Sequence, residues 1–237
     1  MMAIFKKDLR SYLRSMQTYI YLALFSLLCG YYACRQIFLS SLEGGAAGTL
    51  LNGMCSSCAF LLPLITMRSF AGERVSHTER LIMTAPTGPF GLAFGKFLAC
   101  AVLFLFSLIP ASILPFIITC MGYLSFGEFF LVLLGCLLFA LAIAALGVFV
   151  SSMCWTLTGA YFGTAGILIV LWMAGTILPN IDNSMLHALL SALALFEAPE
   201  LFSYGILHYS SAFYLLSFAA VCLLLCAKSL DLERRTR

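Results

Sequence analysis

The chain has 237 residues, of which 62% are hydrophobic and only 10% are charged, with a formal net charge of +3 at pH 7. Soluble globular domains average roughly 25% charged and 45–50% apolar residues. This composition therefore excludes a soluble globular protein and predicts one that is immersed in lipid.

The first sixteen residues predict an amphipathic helix that lies along the membrane surface. Its apolar side chains recur at spacings of three and four and so share one helical face; they are Ile4, Phe5, Leu9, Tyr12, Leu13 and Met16. Its basic side chains lie mainly on the other face, where anionic headgroups attract them; they are Lys6, Lys7, Arg10 and Arg14. A cleaved signal peptide is the alternative, but no small-residue cleavage site follows the first apolar run.

Six membrane spans follow, because a spanning helix needs about 20 apolar residues and the uncharged stretches reach that length. The longest stretch, between Glu128 and Asp182, holds two spans with a tight turn near Trp155. The predicted spans are 18–34, 46–67, 97–120, 129–150, 157–178 and 208–227. The uncharged segment 183–196 is too short to cross and predicts a re-entrant or interfacial helix before the sixth span. The fold class is an all-α integral membrane bundle, with a single transmembrane domain over residues 1–237.

The distribution of basic residues predicts that both termini lie in the cytoplasm. With that orientation, every one of the 13 Lys and Arg residues except Arg35 lies on the cytoplasmic side. This is the positive-inside pattern of multi-pass membrane proteins.

No catalytic, metal or cofactor site is predicted. The motif H-E-x-x-H is absent, the three histidines are far apart, and no Asp or Glu lies within a predicted span. Gly95-Lys96 is the nearest approach to a phosphate-binding loop, but it lacks the first glycine and the Ser or Thr that follows the lysine. The pattern Cys55-x-x-Cys58 lies inside a predicted membrane helix, where cysteines behave as small apolar residues. We expect no ATP binding by this chain and no nucleic-acid partner.

Two glycine patterns predict close helix packing. Gly91 and Gly95 are four residues apart at the entry to the third span, and Gly159, Gly163 and Gly166 share one face of the fifth. Packing inside the bundle is the favoured interpretation, and a subunit interface is the alternative.

The cytoplasmic loop 68–96, between the second and third spans, is the most informative segment. Thr78-Glu79 predicts a helix start and Pro86 a helix end. Residues 81–83 form an apolar patch inside this charged loop. The patch either rests on the membrane surface or contacts a partner protein.

This loop resembles the signature of the permease subunits of bacterial type-2 ABC exporters, in particular their gliding-motility, GldF-like branch. The resemblance is carried by Glu73-Arg74 and then Thr78-Glu79-x-Leu81-Ile82-Met83-Thr84-Ala85-Pro86. It extends to the carboxyl end, in Phe202-x-x-Gly205-Ile206-Leu207 and Leu230-Asp231-Leu232-Glu233-Arg234-Arg235.

The resemblance implies a six-helix bundle with an amphipathic amino-terminal helix, a cytoplasmic coupling helix between spans two and three, and a re-entrant segment before span six. It implies that a separate ABC ATPase subunit hydrolyses ATP, and that a second permease copy or a paralogue completes a dimer in the lipid bilayer. The residues it assigns to ATPase coupling are Glu73, Arg74, Thr78, Glu79, Arg80, Leu81, Ile82, Met83, Thr84 and Pro86.

Two other functions remain open from the sequence: a polytopic membrane enzyme, and a non-transporting scaffold or assembly subunit of a secretion or motility system. An enzyme needs ionisable residues within the membrane, which the predicted spans lack. An adjacent ATPase gene with a phosphate-binding loop would favour the exporter over the scaffold. The spans carry no feature that identifies a transported substrate.

Overall fold

A computed structural model describes most of the chain, and the described part is largely helical. The described residues are 2–39, 46–76, 88–122, 124–177, 195–204 and 208–236. Within these ranges there are helices and turns and no strand, so the predicted all-α class is confirmed.

Each predicted span overlaps one long helix. The α-helices of the described ranges are α1 Met2–Arg14, α2 Met16–Leu39, α3 Ala46–Thr66, α4 Ala71–Val75, α5 Pro89–Cys120, α6 Phe126–Met153, α7 Leu157–Ile177 and α8 Tyr209–Thr236. A 3-10 helix over Glu200–Tyr204 precedes α8. The predicted spans fall in α2, α3, α5, α6, α7 and α8, in that order.

Five segments in the described part of the chain are long and apolar enough to cross a membrane, so this is a multi-pass membrane protein. They are Ala47–Val75, Pro89–Cys120, Phe126–Met153, Leu157–Thr176 and Tyr209–Leu232. Helix α2 is 24 residues long but is not among the five. A sixth span within α2 therefore stays a prediction.

Helix α5 begins at Pro89, well before the predicted start at Phe97. Gly88 is extended and Pro89 occupies the first helical turn, where its fixed φ suits the helix and its missing N–H costs nothing. The predicted span 97–120 lies within this helix, and the point at which the span begins along it stays a prediction. Lys96, placed before the span by the sequence, lies inside the helix.

Helix α6 is the central element and contacts α3, α5, α7 and α8. A Cβ atom on Gly147 would lie 2.7 Å from the Cβ of Thr66, so the glycine allows α6 and the end of α3 to approach closely. On α7, a Cβ on Gly163 would meet Val150 of α6 at 3.1 Å, whereas one on Gly166 would meet nothing within 4 Å. The bundle-packing interpretation of the α7 glycines is therefore wrong for Gly166, because that part of α7 faces away from α6.

Helix α1 forms where the amphipathic amino-terminal helix was predicted, while its position along the membrane surface stays a prediction. Tyr12 is buried against α5, with its hydroxyl 3.9 Å from Cys100 Sγ, while Leu13 and Met16 are exposed. The helix is rotated so that Asp8, one turn before Tyr12, is also buried. An apolar stripe alone could not predict this rotation, because a charged side chain takes part in the packing.

Two predicted features fall largely outside the described residues. Of the re-entrant segment 183–196, only the last two residues are described; Leu195 is buried and the Phe196 ring lies 5.1 Å from that of Phe139. Residues 78–86 of the predicted coupling helix also lie outside the described ranges.

Candidate functional site

The short helix α4 lies where several parts of the chain meet at one end of the bundle. It follows α3 directly, and its residues contact α1, the first turns of α5, and the turn between α6 and α7. Of the residues assigned to coupling, Glu73 and Arg74 lie in this helix. We call the side chains that hold α4 in place the α4 cluster; they are Lys7, Asp8, Glu73, Arg74, Lys96, Ser151 and Trp155.

Lys96 of α5 is a buried cation in the α4 cluster and is only 2% exposed. Its Nζ lies 2.6 Å from Glu73 Oε2 and 3.8 Å from Asp8 Oδ2, and it donates a hydrogen bond to the carbonyl of Ser69. It also lies 4.6 Å from the centroid of the Phe70 ring. A buried ammonium is tolerated only when it is paired and hydrogen-bonded, and here two carboxylates supply that pairing.

Glu73 also binds a second lysine, which comes from α1. Lys7 Nζ lies 2.9 Å from Glu73 Oε1 and 3.8 Å from Asp8 Oδ1, and the Lys7 side chain is 55% exposed. The Glu73 carboxylate thus bridges a surface lysine of α1 and a buried lysine of α5. This arrangement ties three helices together.

Asp8 is the least satisfied member of the cluster. Its Oδ2 atom has no hydrogen-bond partner in the described part of the chain. Burial raises the pKa of the Asp8 carboxyl above its ordinary value; the positive charge of Lys96 opposes this shift, the negative charge of Glu73 adds to it, and Lys7 opposes it. Removal from water is the largest of these effects.

Arg74 attaches the opposite side of α4 to the turn between α6 and α7. It is 6% exposed, and its Nη1 donates a hydrogen bond to the Cys154 carbonyl at 3.1 Å. Its guanidinium carbon lies 5.0 Å from the centroid of the Trp155 ring, within the range of a cation–π contact. Glu73 and Arg74 therefore point toward the bundle on two sides of α4.

Ser151 of α6 caps the amino end of α4 from another helix. Its hydroxyl accepts hydrogen bonds from the amides of Phe70 and Ala71, each at 3.1 Å, and donates to the Met67 carbonyl at 3.1 Å. The residue at the cap position of α4 is Phe70, whose side chain cannot cap. Helix starts leave amides unpaired, so Ser151 supplies the acceptor that the local sequence lacks.

Sequence reasoning missed Asp8, Lys96 and Ser151 as members of this site. Asp8 carried a weak signal, since it is acidic in a basic helix and lies one turn from Tyr12 on the apolar side. Lys96 carried another, as a lone charge between apolar residues. Ser151 carried none, because a serine in an apolar helix usually bonds to its own helix.

The α4 cluster is suited to holding helices together rather than to catalysis. Its cations and carboxylates are engaged with one another, with carbonyls or with aromatic rings. In the described part of the chain, no group of three or more His, Cys, Asp or Glu side chains could hold a metal ion. A displacement of α4 would also displace α1, α5 and the α6–α7 turn, because α4 contacts all three.

Comparison with known proteins gives one family match. Residues 35–228 match a family model described as "ABC-2 family transporter protein". The match covers well over half of the chain and includes α4, Lys96 and Ser151, while α1 precedes it. No curated protein matches the chain.

Proposed function

The chain belongs to the ABC-2 transporter family, and from this membership we propose that it is the permease subunit of an ATP-driven exporter whose ATPase is a separate subunit. The proposal places it in the type-2 exporters, in their GldF-like branch, within a bacterial plasma membrane. Both termini are cytoplasmic and α2 is the first of six spans. Two permeases, identical or paralogous, enclose the path of a substrate that is still to be identified.

The observation that carries this proposal is the attachment of α4 to three other parts of the chain. Glu73 joins α4 to α1 and α5, while Arg74 and Ser151 join it to α6 and the α6–α7 turn. Sliding α4 against these helices would separate buried charges, which is strongly unfavourable. A push on the loop would therefore move the attached helices as a unit, as a coupling element requires.

Within this mechanism, the coupling residues divide into two groups. Glu73 and Arg74 act by anchoring α4, because both side chains contact the bundle. Residues 78–86 supply the direct contact with the ATPase, with the apolar patch 81–83 as the anchor and Glu79 and Arg80 at its edge. An apolar anchor with charged neighbours is typical of protein interfaces that need both affinity and register.

ATP hydrolysis with and without a partner tests the proposal. The purified chain alone should hydrolyse no ATP, and the chain co-expressed with an ATPase encoded next to it should co-purify as an ATP-hydrolysing complex. Hydrolysis by the isolated chain, after contaminating ATPases are excluded, would contradict it. Failure of every neighbouring ATPase to associate would contradict it as well.

A further inference from the structure

We propose that a cleft beside the α4 cluster binds the phosphate headgroup of an anionic phospholipid. The cleft lies between α1 and the junction of α3 with α4, and its volume is about 280 Å³. Its lining includes Lys7, Asp8, Ser11, Arg68, Ser69 and Glu73. It is a polar cleft at the point where membrane-crossing helices end.

The charges around the cleft favour an anionic ligand. The cleft lining carries two cations, Lys7 and Arg68, and two carboxylates, Asp8 and Glu73. Both carboxylates are already engaged by Lys7 and by Lys96, which is buried behind the lining. This leaves the guanidinium of Arg68 without a carboxylate in the described part of the chain. A phosphate at this position would give Arg68 the anionic partner that it lacks among the described residues.

Hydrogen-bond donors of the cleft are also available to a phosphate. Arg68 donates to the hydroxyl of Ser15, and its remaining N–H groups have no other acceptor among the described residues. Ser69 is 3% exposed, and its hydroxyl has no hydrogen-bond partner in the same described ranges. Phosphate oxygens accept strong hydrogen bonds from guanidinium and hydroxyl groups together.

The apolar surface next to the cleft indicates a lipid rather than a soluble phosphate. Ser15, which Arg68 contacts, is followed by Met16, Tyr19 and Ile20, three exposed side chains on one face of α2. Acyl chains that leave the cleft at Ser15 would lie along this face. The cleft is slightly smaller than the roughly 300–1,000 Å³ of sites that enclose whole ligands, so it accommodates a headgroup while the acyl chains remain outside.

Binding of this lipid is a property of the permease itself and needs no ATPase. The result of the lipid-binding experiment is therefore independent of whether the proposed exporter function is correct. The purified full-length chain is titrated with phosphatidylglycerol in phosphatidylcholine nanodiscs. Native mass spectrometry then counts the phosphatidylglycerol molecules that remain bound to the chain after the chain is released from the nanodisc.

Three variants locate the site. Arg68→Gln removes a cation of the cleft, and Ser11→Phe fills the cleft while every charge remains. Arg14→Gln is the matched control, because it removes an exposed cation of α1 that does not line the cleft. We expect one retained lipid in the wild type, at least tenfold weaker binding in Arg68→Gln and Ser11→Phe, and unchanged binding in Arg14→Gln.

Any one of four results would overturn the proposal. The first is wild-type chain that retains no phosphatidylglycerol, and the second is an equal loss of binding in Arg14→Gln, which would indicate general surface attraction. The third is displacement of the lipid by millimolar inorganic phosphate or glycerol phosphate, which would mean that the acyl chains contribute nothing. If Arg68→Gln does not fold, Ser11→Phe tests the proposal alone, and lipid binding that survives Ser11→Phe contradicts it.

Discussion

Lys96 Nζ lies 2.6 Å from the carboxylate of Glu73, in a pair whose lysine is almost completely buried. Glu73 lies in α4 and Lys96 lies inside α5. Their contact holds α4 against α5, and residues 77–87 belong to the segment of the sequence that connects these two helices. In the exporter proposed here, that segment is the part available to the ATPase.

Removal of Lys96 should destabilise the bundle much more than removal of Lys7. Lys96→Met leaves Glu73 and Asp8 without their buried partner, and we expect a loss of about 3 kcal/mol in the free energy of unfolding. Lys7→Met removes a cation whose side chain is 55% exposed, so the expected loss is below about 1 kcal/mol. Thermal unfolding in detergent measures both, and equal losses would contradict the assignment of Lys96 as the central charge.

Ser151 should control the local stability of α4. In Ser151→Ala the amides of Phe70 and Ala71 lose their shared acceptor, and their hydrogen exchange should accelerate about tenfold, corresponding to about 1.4 kcal/mol. Ser152→Ala is the matched control, because that hydroxyl donates only to the Phe149 carbonyl within α6. Exchange mass spectrometry of the peptide that contains α4 makes the comparison. Unchanged protection in Ser151→Ala would show that the cap does not hold α4.

Gly147 should tolerate no side chain, in contrast to Gly166. A Cβ on Gly147 would overlap Thr66 of α3, and such overpacking costs about 1–3 kcal/mol. Gly166→Ala places its methyl group in open space and should leave stability unchanged. Melting temperatures of the two variants in the same detergent give the test. A Gly147→Ala variant as stable as Gly166→Ala would contradict the close approach of α3 and α6.

Asp8 should make stability depend on pH. Because burial raises the pKa of Asp8 above its ordinary value of 3.8, there is a pH range above 3.8 in which the folded chain still holds a proton that the unfolded chain has released. The stability that Asp8 contributes is therefore complete below pH 3.8 and is lost as the pH rises through the folded pKa. We expect the melting temperature of the wild type to fall, relative to that of Asp8→Asn, as the pH is raised from about 4 to 7. Parallel curves for the two proteins would contradict the raised pKa.

The helices were predictable from the sequence because uncharged apolar stretches of spanning length have few alternatives. The ends of the helices were harder to predict from the sequence. Gly88-Pro89 carried the start signal of α5, but the charge of Lys96 suggested a later start, and only its partners explain why it is buried.

The α4 cluster could not be assembled from the sequence. Asp8, Glu73 and Lys96 come from three separate segments, and the order of residues along the chain does not show which helix ends lie side by side. Arg74 likewise contacts Cys154 and Trp155, two residues that are far from it in the sequence. The coupling residues Thr78 to Pro86 lie outside the described ranges and remain a prediction.

The most direct test of the proposed coupling is the affinity of the ATPase for a permease altered in the loop. In the double variant Leu81→Ala, Glu79→Lys, truncation of a buried anchor alone would cost about 2 kcal/mol or more. The charge reversal at Glu79 would add a mismatch. We expect binding of the ATPase in a pull-down titration to weaken by about thirtyfold or more, with normal expression and insertion of the variant. Unchanged ATPase affinity and unchanged transport in a normally expressed double variant would contradict the account and reduce the loop to a connector.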